Sequence, residues 1–242
     1  LAASQLTKFY QSKDLKNWKY MSSFGEGIGN HNGVWECPDL FELFVEGTST
    51  SKWVHLVSIN PGGPNGGSAT QYFVGDFDGK RFIIDPDFEL KMKKKHSFWT
   101  DFGKDNYAGV TYNNWRSKRL GVLYQGWMSN WQYANVVPTL KWRSAMTIPR
   151  ELSLYLSQDS IYRIRSKDIT HFKESFIKKV EKENISLNKT TTLLNKDELD
   201  LTKAKIELEI NNMEEVKYTF VASNIKGDFL AFGYDHKEKQ FF

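Results

Sequence analysis

Trp53-Val54-His55-Leu56-Val57-Ser58-Ile59-Asn60, then Pro61-Gly62-Gly63-Pro64-Asn65-Gly66-Gly67-Ser68, then Gln71-Tyr72-Phe73-Val74-Gly75-Asp76-Phe77-Asp78-Gly79: these residues decide the fold class. The first run carries Val54, Leu56, Val57 and Ile59 and reads as a buried strand. The second holds two prolines and four glycines, the strongest breaker in the chain. The third alternates as a half-buried strand, and Asp78-Gly79 predicts a hairpin leading into Phe82-Ile83-Ile84. Working outward, the same grammar predicts strands over 1–10, Leu40–Val45, 101–115, Leu120–Trp127 and Trp142–Leu156. Short strands, tight turns and little helical periodicity through residue 150 make the chain all-β, a propeller or a sandwich. Periodicity does not choose between those two.

The chain has 242 residues, 40% hydrophobic and 15% aromatic, enough for one large or two ordinary domains. Thirty-three basic residues against 29 acidic give a net charge of +4, too balanced for a nucleic-acid-binding footprint. The densest basic run, Lys91 to Lys95 around Met92, reads as a solvated loop. Cys37 is the single cysteine, so no intrachain disulfide forms, and it is expected to be a small buried hydrophobe. The five histidines show no metal-ligand spacing, and no cofactor motif is present. The glycines around Asn30, His31 and Asn32 lack the strand–glycine–helix context of a phosphate cradle. No apolar run approaches the ~18 residues of a membrane helix. Leu1-Ala2-Ala3-Ser4 shows neither Met nor a charged leader, so no signal peptide is visible.

Trp35-Glu36-Cys37-Pro38-Asp39 draws the functional reading. An indole and a small thiol beside a carboxylate desolvate it, and Pro38 is expected to hold residue 37 extended. A stiff, partly desolvated Glu suits a general acid, and a strand-end Glu facing water is the alternative. Upstream, Ser12-Lys13-Asp14-Leu15-Lys16-Asn17-Trp18 predicts a turn capped by Asp14, with Leu15 and Trp18 packing back on the sheet. Beyond Tyr155 the chain turns polar, and 156–175 reads as a linker. Ile206-Glu207-Leu208-Glu209-Ile210 and Tyr218-Thr219-Phe220-Val221 then predict half-exposed antiparallel strands.

Glu36-Cys37-Pro38-Asp39 resembles the Glu-Cys-Pro-Asp motif of glycoside hydrolase family 32, the invertases, levanases and exo-inulinases. Four further segments resemble that family in the same order: Asn60–Ser68 with Gln71–Gly75, Asp101-Phe102-Gly103-Lys104-Asp105-Asn106-Tyr107-Ala108, Gly126-Trp127-Met128-Ser129-Asn130-Trp131-Gln132-Tyr133, and Trp142–Met146 with Pro149–Leu152. The resemblance covers residues 1 to 155 most closely. It implies a partial five-bladed β-propeller over 1–155 and part of a C-terminal β-sandwich over 176–242. It implies hydrolysis of terminal fructosyl linkages in sucrose, levan or inulin by a retaining mechanism, without a metal or other cofactor. The partner is then a fructose-containing oligo- or polysaccharide, and export to the periplasm or beyond follows by analogy.

On that resemblance Glu36 is the acid/base. Asp105 and Tyr107 reach the site floor, Trp127 walls the fructose subsite with Trp131 beside it, and Asp39 tunes Glu36 or caps its turn. The alternatives are a strand-start turn with Tyr107 in the core, and packing roles for the tryptophans. The family's nucleophile lies in an Asp-Pro-Asn segment and its transition-state stabiliser in an Arg-Asp-Pro segment. Neither tripeptide occurs here, and Asp85-Pro86 is not a substitute. The chain is therefore expected to be an internal fragment lacking the first blades, or else a non-catalytic carbohydrate-binding remnant.

Overall fold

A computed structural model of the protein describes residues 2–95, 97–117, 121–169, 177–187, 189–195, 197–211 and 213–242. The chain divides into two compact units, 1–176 and 177–242.

The described residues of the first unit form three antiparallel sheets, each made of strands in chain order. β1 (Ala2–Ala3), β2 (Thr7–Gln11) and β3 (Lys19–Phe24) form the first. β4 (Val34–Phe44), β5 (Ser51–Asn60), β6 (Ala69–Phe77) and β7 (Phe82–Ile84) form the second. β8 (Tyr107–Ser117), β9 (Gly121–Trp127), β10 (Arg150–Leu156) and β11 (Tyr162–Asp168) form the third. The order follows from short links, which permit only an antiparallel return; β10 alone is reached by a longer segment, 128–149. The first link between β2 and β3 is the predicted Asp14 turn, whose carboxylate accepts from the amides of Lys16 (2.9 Å) and Asn17 (2.8 Å). Leu15 and Trp18 do not pack back on the sheet. They are exposed, because the carboxylate holds the turn without apolar contacts.

The core lies around β5, on which Val54, His55, Leu56, Val57, Ser58 and Ile59 are all buried. Its edges pair with β4 and β6, and the face bearing His55 lies under the aromatic cluster of Phe9, Phe24, Phe73 and Phe82. His55 is the polar exception in that cluster. Its Nδ1 faces the Asp39 carbonyl at 2.8 Å and its Nε2 faces the Thr7 hydroxyl at 2.9 Å. A carbonyl only accepts, so Nδ1 carries the proton and Nε2 accepts from Thr7. Burial pushes the imidazole pKa down to about 4.

Four expectations are corrected. Lys91–Lys95 is not a loop but the end of helix α1 (Pro86–Lys95). Asp85 caps it by accepting from the Phe88 amide at 3.2 Å, Pro86 occupies the first turn, and Phe88 and Met92 bury one side. Alternation along 82–95 concealed this helix because only those two apolar positions face inward. The stretch 156–175 is not all linker, since β11 pairs with β10 from Arg150↔Asp168 to Leu156↔Tyr162. Its charged residues, Arg163, Arg165 and Lys167, suit an edge strand with one wet face. Strand Trp142–Leu156 begins only at Arg150. In the second unit, β12 (Lys217–Ser223), β13 (Phe229–Asp235) and β14 (Gln240–Phe241) form a sheet. Residues 206–210 alternate as predicted but join no sheet: alternation supplies a face, and a strand also needs a partner edge. No helix among the described residues is long and apolar enough to cross a membrane.

Candidate active site

Glu36 stands at a break in the β4–β5 ladder. Glu36 pairs with Ser58 and Asp39 with Leu56, so Cys37 and Pro38 together oppose one residue of β5. This is a β-bulge, a device enriched beside active sites because it re-aims side chains. The extra residue puts Glu36 and Asp39, three apart in sequence, on the same side of the sheet. Residue 37 is not extended as expected: its φ of +46° lies in the left-handed region. Such a conformation costs about 1–3 kcal/mol for a residue with a Cβ and persists only where surroundings impose it. Cys37 is exposed rather than buried, because the bulge turns it outward. Glu36 is exposed too. Trp35 does not cover it, since neighbours on a strand point to opposite faces and Trp35 is fully buried in the core.

Tyr107 comes from a second bulge, at the start of β8. Tyr107 pairs with Trp127 and Val110 with Gln125, so Ala108 and Gly109 together oppose Gly126. Asn106 (φ +130°) and Ala108 (φ +52°) flank it, both in backbone regions that disfavour a side chain. The phenol donates to Glu36 Oε2, the contact that brings the two bulges together. Burial, then the bond to Glu36 and its negative charge, holds Tyr107 protonated far above the usual phenol range, so it is a donor throughout. Tyr107 is therefore buried and also in contact with Glu36, so a core position and a place beside the carboxylate are compatible.

Direct pairing across β8 and β9 puts the Trp127 ring 6.3 Å from Tyr107, and Trp131 follows 5.2 Å beyond it. Exposure rises along this row, from 4% at Tyr107 through half-buried Trp127 to 50% at Trp131. The result is an aromatic wall running from the carboxylate to the surface.

Asn130 holds the outer end of that wall, and nothing in its sequence neighbourhood announced it. Fully buried, it donates to the carbonyls of Lys104 (2.8 Å), Gly66 (3.3 Å) and Ser68 (3.3 Å). It accepts from the amides of Gln132 (3.0 Å) and Ser68 (3.3 Å). Loop 60–68, loop 101–105 and the turn bearing Trp131 thereby meet on one amide. Gly67, at φ +69°, lies so close that a Cβ would overlap Asn130 Oδ1. Asp101 and Asn106 form a similar brace under Tyr107. Asn106 Nδ2 donates to Asp101 Oδ2 at 2.6 Å, and Asn106 Oδ1 accepts from Tyr124 at 3.2 Å. A Cβ on Gly126 would fill the space that Oδ1 occupies. Burial raises the Asp101 pKa.

The remaining predicted residues separate. Asp39 is spent on protein: Oδ1 accepts from Leu40 N (2.9 Å) and Oδ2 from Thr111 N (2.7 Å) and Thr111 Oγ1 (2.8 Å). It caps, as one of its two readings held, with both carboxylate oxygens bonded to protein. Asp105 is exposed, two residues before Tyr107, with its pKa raised by partial burial and no hydrogen bond to Glu36. Asp85, set aside above, is a helix cap that also meets Lys52 at 3.4 Å. No group of three or more His, Cys, Asp or Glu that could hold a metal occurs among the described residues.

The glycosyl hydrolases family 32 N-terminal domain matches residues 1–167. This chain belongs to glycoside hydrolase family 32. Relatives within family 32 include the levanase of Bacillus subtilis, 37% identical across all of this chain and 35% of the levanase. The extracellular exo-inulinase of Meyerozyma guilliermondii is 36% identical across all of this chain and 46% of that protein. Among solved family structures, the β-fructofuranosidase of Schwanniomyces occidentalis complexed with fructosyl-erythritol superposes with a TM-score of 0.73 at 28% identity. That match covers 99% of this chain and 47% of the other. The chain thus spans about a third to a half of the length of these relatives.

Proposed function

We propose that this chain carries the acid/base portion of a retaining β-fructofuranosidase, with Glu36 as the proton donor and fructose-terminated saccharides as substrate. The observation that supports it best is the Tyr107–Glu36 contact between two facing bulges, beside the aromatic wall of Trp127 and Trp131. Glu36, exposed and without an ion pair among the described residues, is free to meet a glycosidic oxygen. It donates its proton as the leaving group departs, then as carboxylate removes a proton from the water that releases fructose. Tyr107, always a donor, fixes one oxygen of the carboxyl so that the other presents to the substrate. Trp127 supplies an apolar face for the furanose ring and Trp131 continues it toward the leaving group.

Double displacement needs a second carboxyl about 5–5.5 Å away as nucleophile. In the family that role falls to the Asp-Pro-Asn segment, which these 242 residues do not contain, so on the resemblance we assign it to an aspartate outside them. In this reading the sheets β1–β3, β4–β7 and β8–β11 are successive blades of a five-bladed propeller, and β12–β14 belong to a sandwich. The names of the relatives, levanase and exo-inulinase, support fructan as well as sucrose, and the extracellular relative supports an exported enzyme. They disfavour a non-catalytic carbohydrate-binding remnant.

The test is Glu36→Gln in the intact gene product, read as fructose release from sucrose, inulin and levan. Turnover should fall ~10²–10⁴-fold, with less loss on an aryl fructoside whose leaving group needs no proton. Unchanged turnover on sucrose and inulin would remove Glu36 from the mechanism.

A further inference from the structure

We infer that Asp39 is a positioning residue for the acid/base: its carboxylate clamps the Glu36 strand to the Tyr107 strand through Thr111. The inference rests on the reading of Glu36 as proton donor. Three observations carry it. First, the bonds join different sheets: Asp39 is on β4 and Thr111, 72 residues later, is on β8. A local cap needs only the Leu40 amide, which Oδ1 already takes. Second, the clamp lies on the far side of both bulges. Each ladder slips once between the site residue and the clamp residue, between Glu36 and Asp39 on β4 and between Tyr107 and Val110 on β8. The Glu36–Tyr107 contact closes one end of this irregular region and Asp39–Thr111 the other.

Third, Asp39 is itself fixed from behind. Its carbonyl accepts from His55, which is fully buried in the core and bonded onward to Thr7. Core, bulge and neighbouring sheet thus meet at one residue. Without the clamp, β4 and β8 lose the link beyond the bulges that Asp39 and Thr111 supply, and Glu36 and Tyr107 become freer to part. Misplacement of about 1 Å at a reacting group costs on the order of 10²-fold in rate.

The experiment uses the intact gene product with Asp39→Asn, Thr111→Val, the double variant and Thr111→Ser, with Glu36→Gln alongside. For each, kcat and KM for fructose release from sucrose and the thermal midpoint are measured. Asp39→Asn should lower kcat ~10–100-fold with KM within about twofold. Thr111→Val, which keeps the backbone donor, should lower kcat several-fold. The double variant should lose no more than Asp39→Asn alone, and Thr111→Ser should restore turnover. A purely structural role predicts lower midpoints with kcat per folded molecule unchanged, which would overturn the inference. So would losses that multiply in the double variant, or a loss carried by KM, which would mean that Asp39 touches sugar. Should Asp39→Asn not fold, Thr111→Val against Thr111→Ser decides the matter by the same kcat criterion. An active Glu36→Gln would bring down the acid assignment and this inference with it. An inactive Glu36→Gln beside unaffected Asp39 and Thr111 variants would remove this inference alone.

Discussion

His55 should make the first unit acid-sensitive, by an amount the structure lets us work out. Its pKa falls from 6.5 to about 4 in the folded state, chiefly because burial penalises the charged ring. In the unfolded chain the group titrates near 6.5. Below 6.5 the unfolded state takes up a proton that the folded state refuses, so stability falls as pH drops and the loss levels off below about 4. Each unit of pH in that window costs up to ~1.4 kcal/mol, or about 3 kcal/mol across it. Between pH 7 and pH 5 the share due to His55 is ~2 kcal/mol. The assay is urea unfolding of the full chain, followed by tryptophan fluorescence. All eight tryptophans lie at or before residue 142, so the signal reports the first unit alone. His55→Asn places an amide N–H where the Nδ1–H now meets the Asp39 carbonyl, and it does not titrate. The variant loses the Thr7 bond and is less stable at pH 7. Its decline from pH 7 to pH 5 should be ~2 kcal/mol shallower than that of the native chain, since other titrations cancel in the difference. Equal declines within ~0.5 kcal/mol would refute the buried neutral imidazole.

Two substitutions examine the site. Tyr107→Phe removes the donor to Glu36 and leaves the ring beside Trp127. Steady-state kinetics should show kcat reduced ~10-fold or more with KM little changed, and a KM effect alone would make Tyr107 a sugar contact rather than a partner of the acid. Asn130→Ala breaks the junction of three loops and leaves the carbonyl of Lys104 and the amide of Gln132 without it. Denaturant melts should show a loss of ~1–3 kcal/mol, and KM for inulin should rise as Trp131 loosens; an unchanged KM would separate Asn130 from the wall.

Much of the architecture was legible because the strands announce themselves locally. Residues 51–77 combine an apolar run, a loop of glycines and prolines, and an alternating run, and short-range sterics alone make them antiparallel neighbours. The Asp14 and Asp78 turns are legible for the same reason, since an Asx carboxylate finds its amides within three residues. The ordered motifs likewise grouped Glu36, Tyr107, Trp127 and Trp131, and the structure sets these side chains next to one another.

Other features required the third dimension. Helix α1 hid because its inward face rests on two side chains, and residues 206–210 misled because alternation says nothing about whether an edge is available. The left-handed φ of Cys37 runs against the extended preference of a residue before proline. It is imposed by a ladder that must absorb one extra residue. The covering of Glu36 by Trp35 failed because strand geometry sends neighbours to opposite faces. Asp39 and Thr111 stand 72 residues apart, and Asn130 bonds to loops more than 25 and more than 60 residues away. A hydrogen bond between distant residues has no period and no local signature. Chemistry by residue type and strand by pattern belong to the sequence; the partner of each polar group is decided only when the sheets pack.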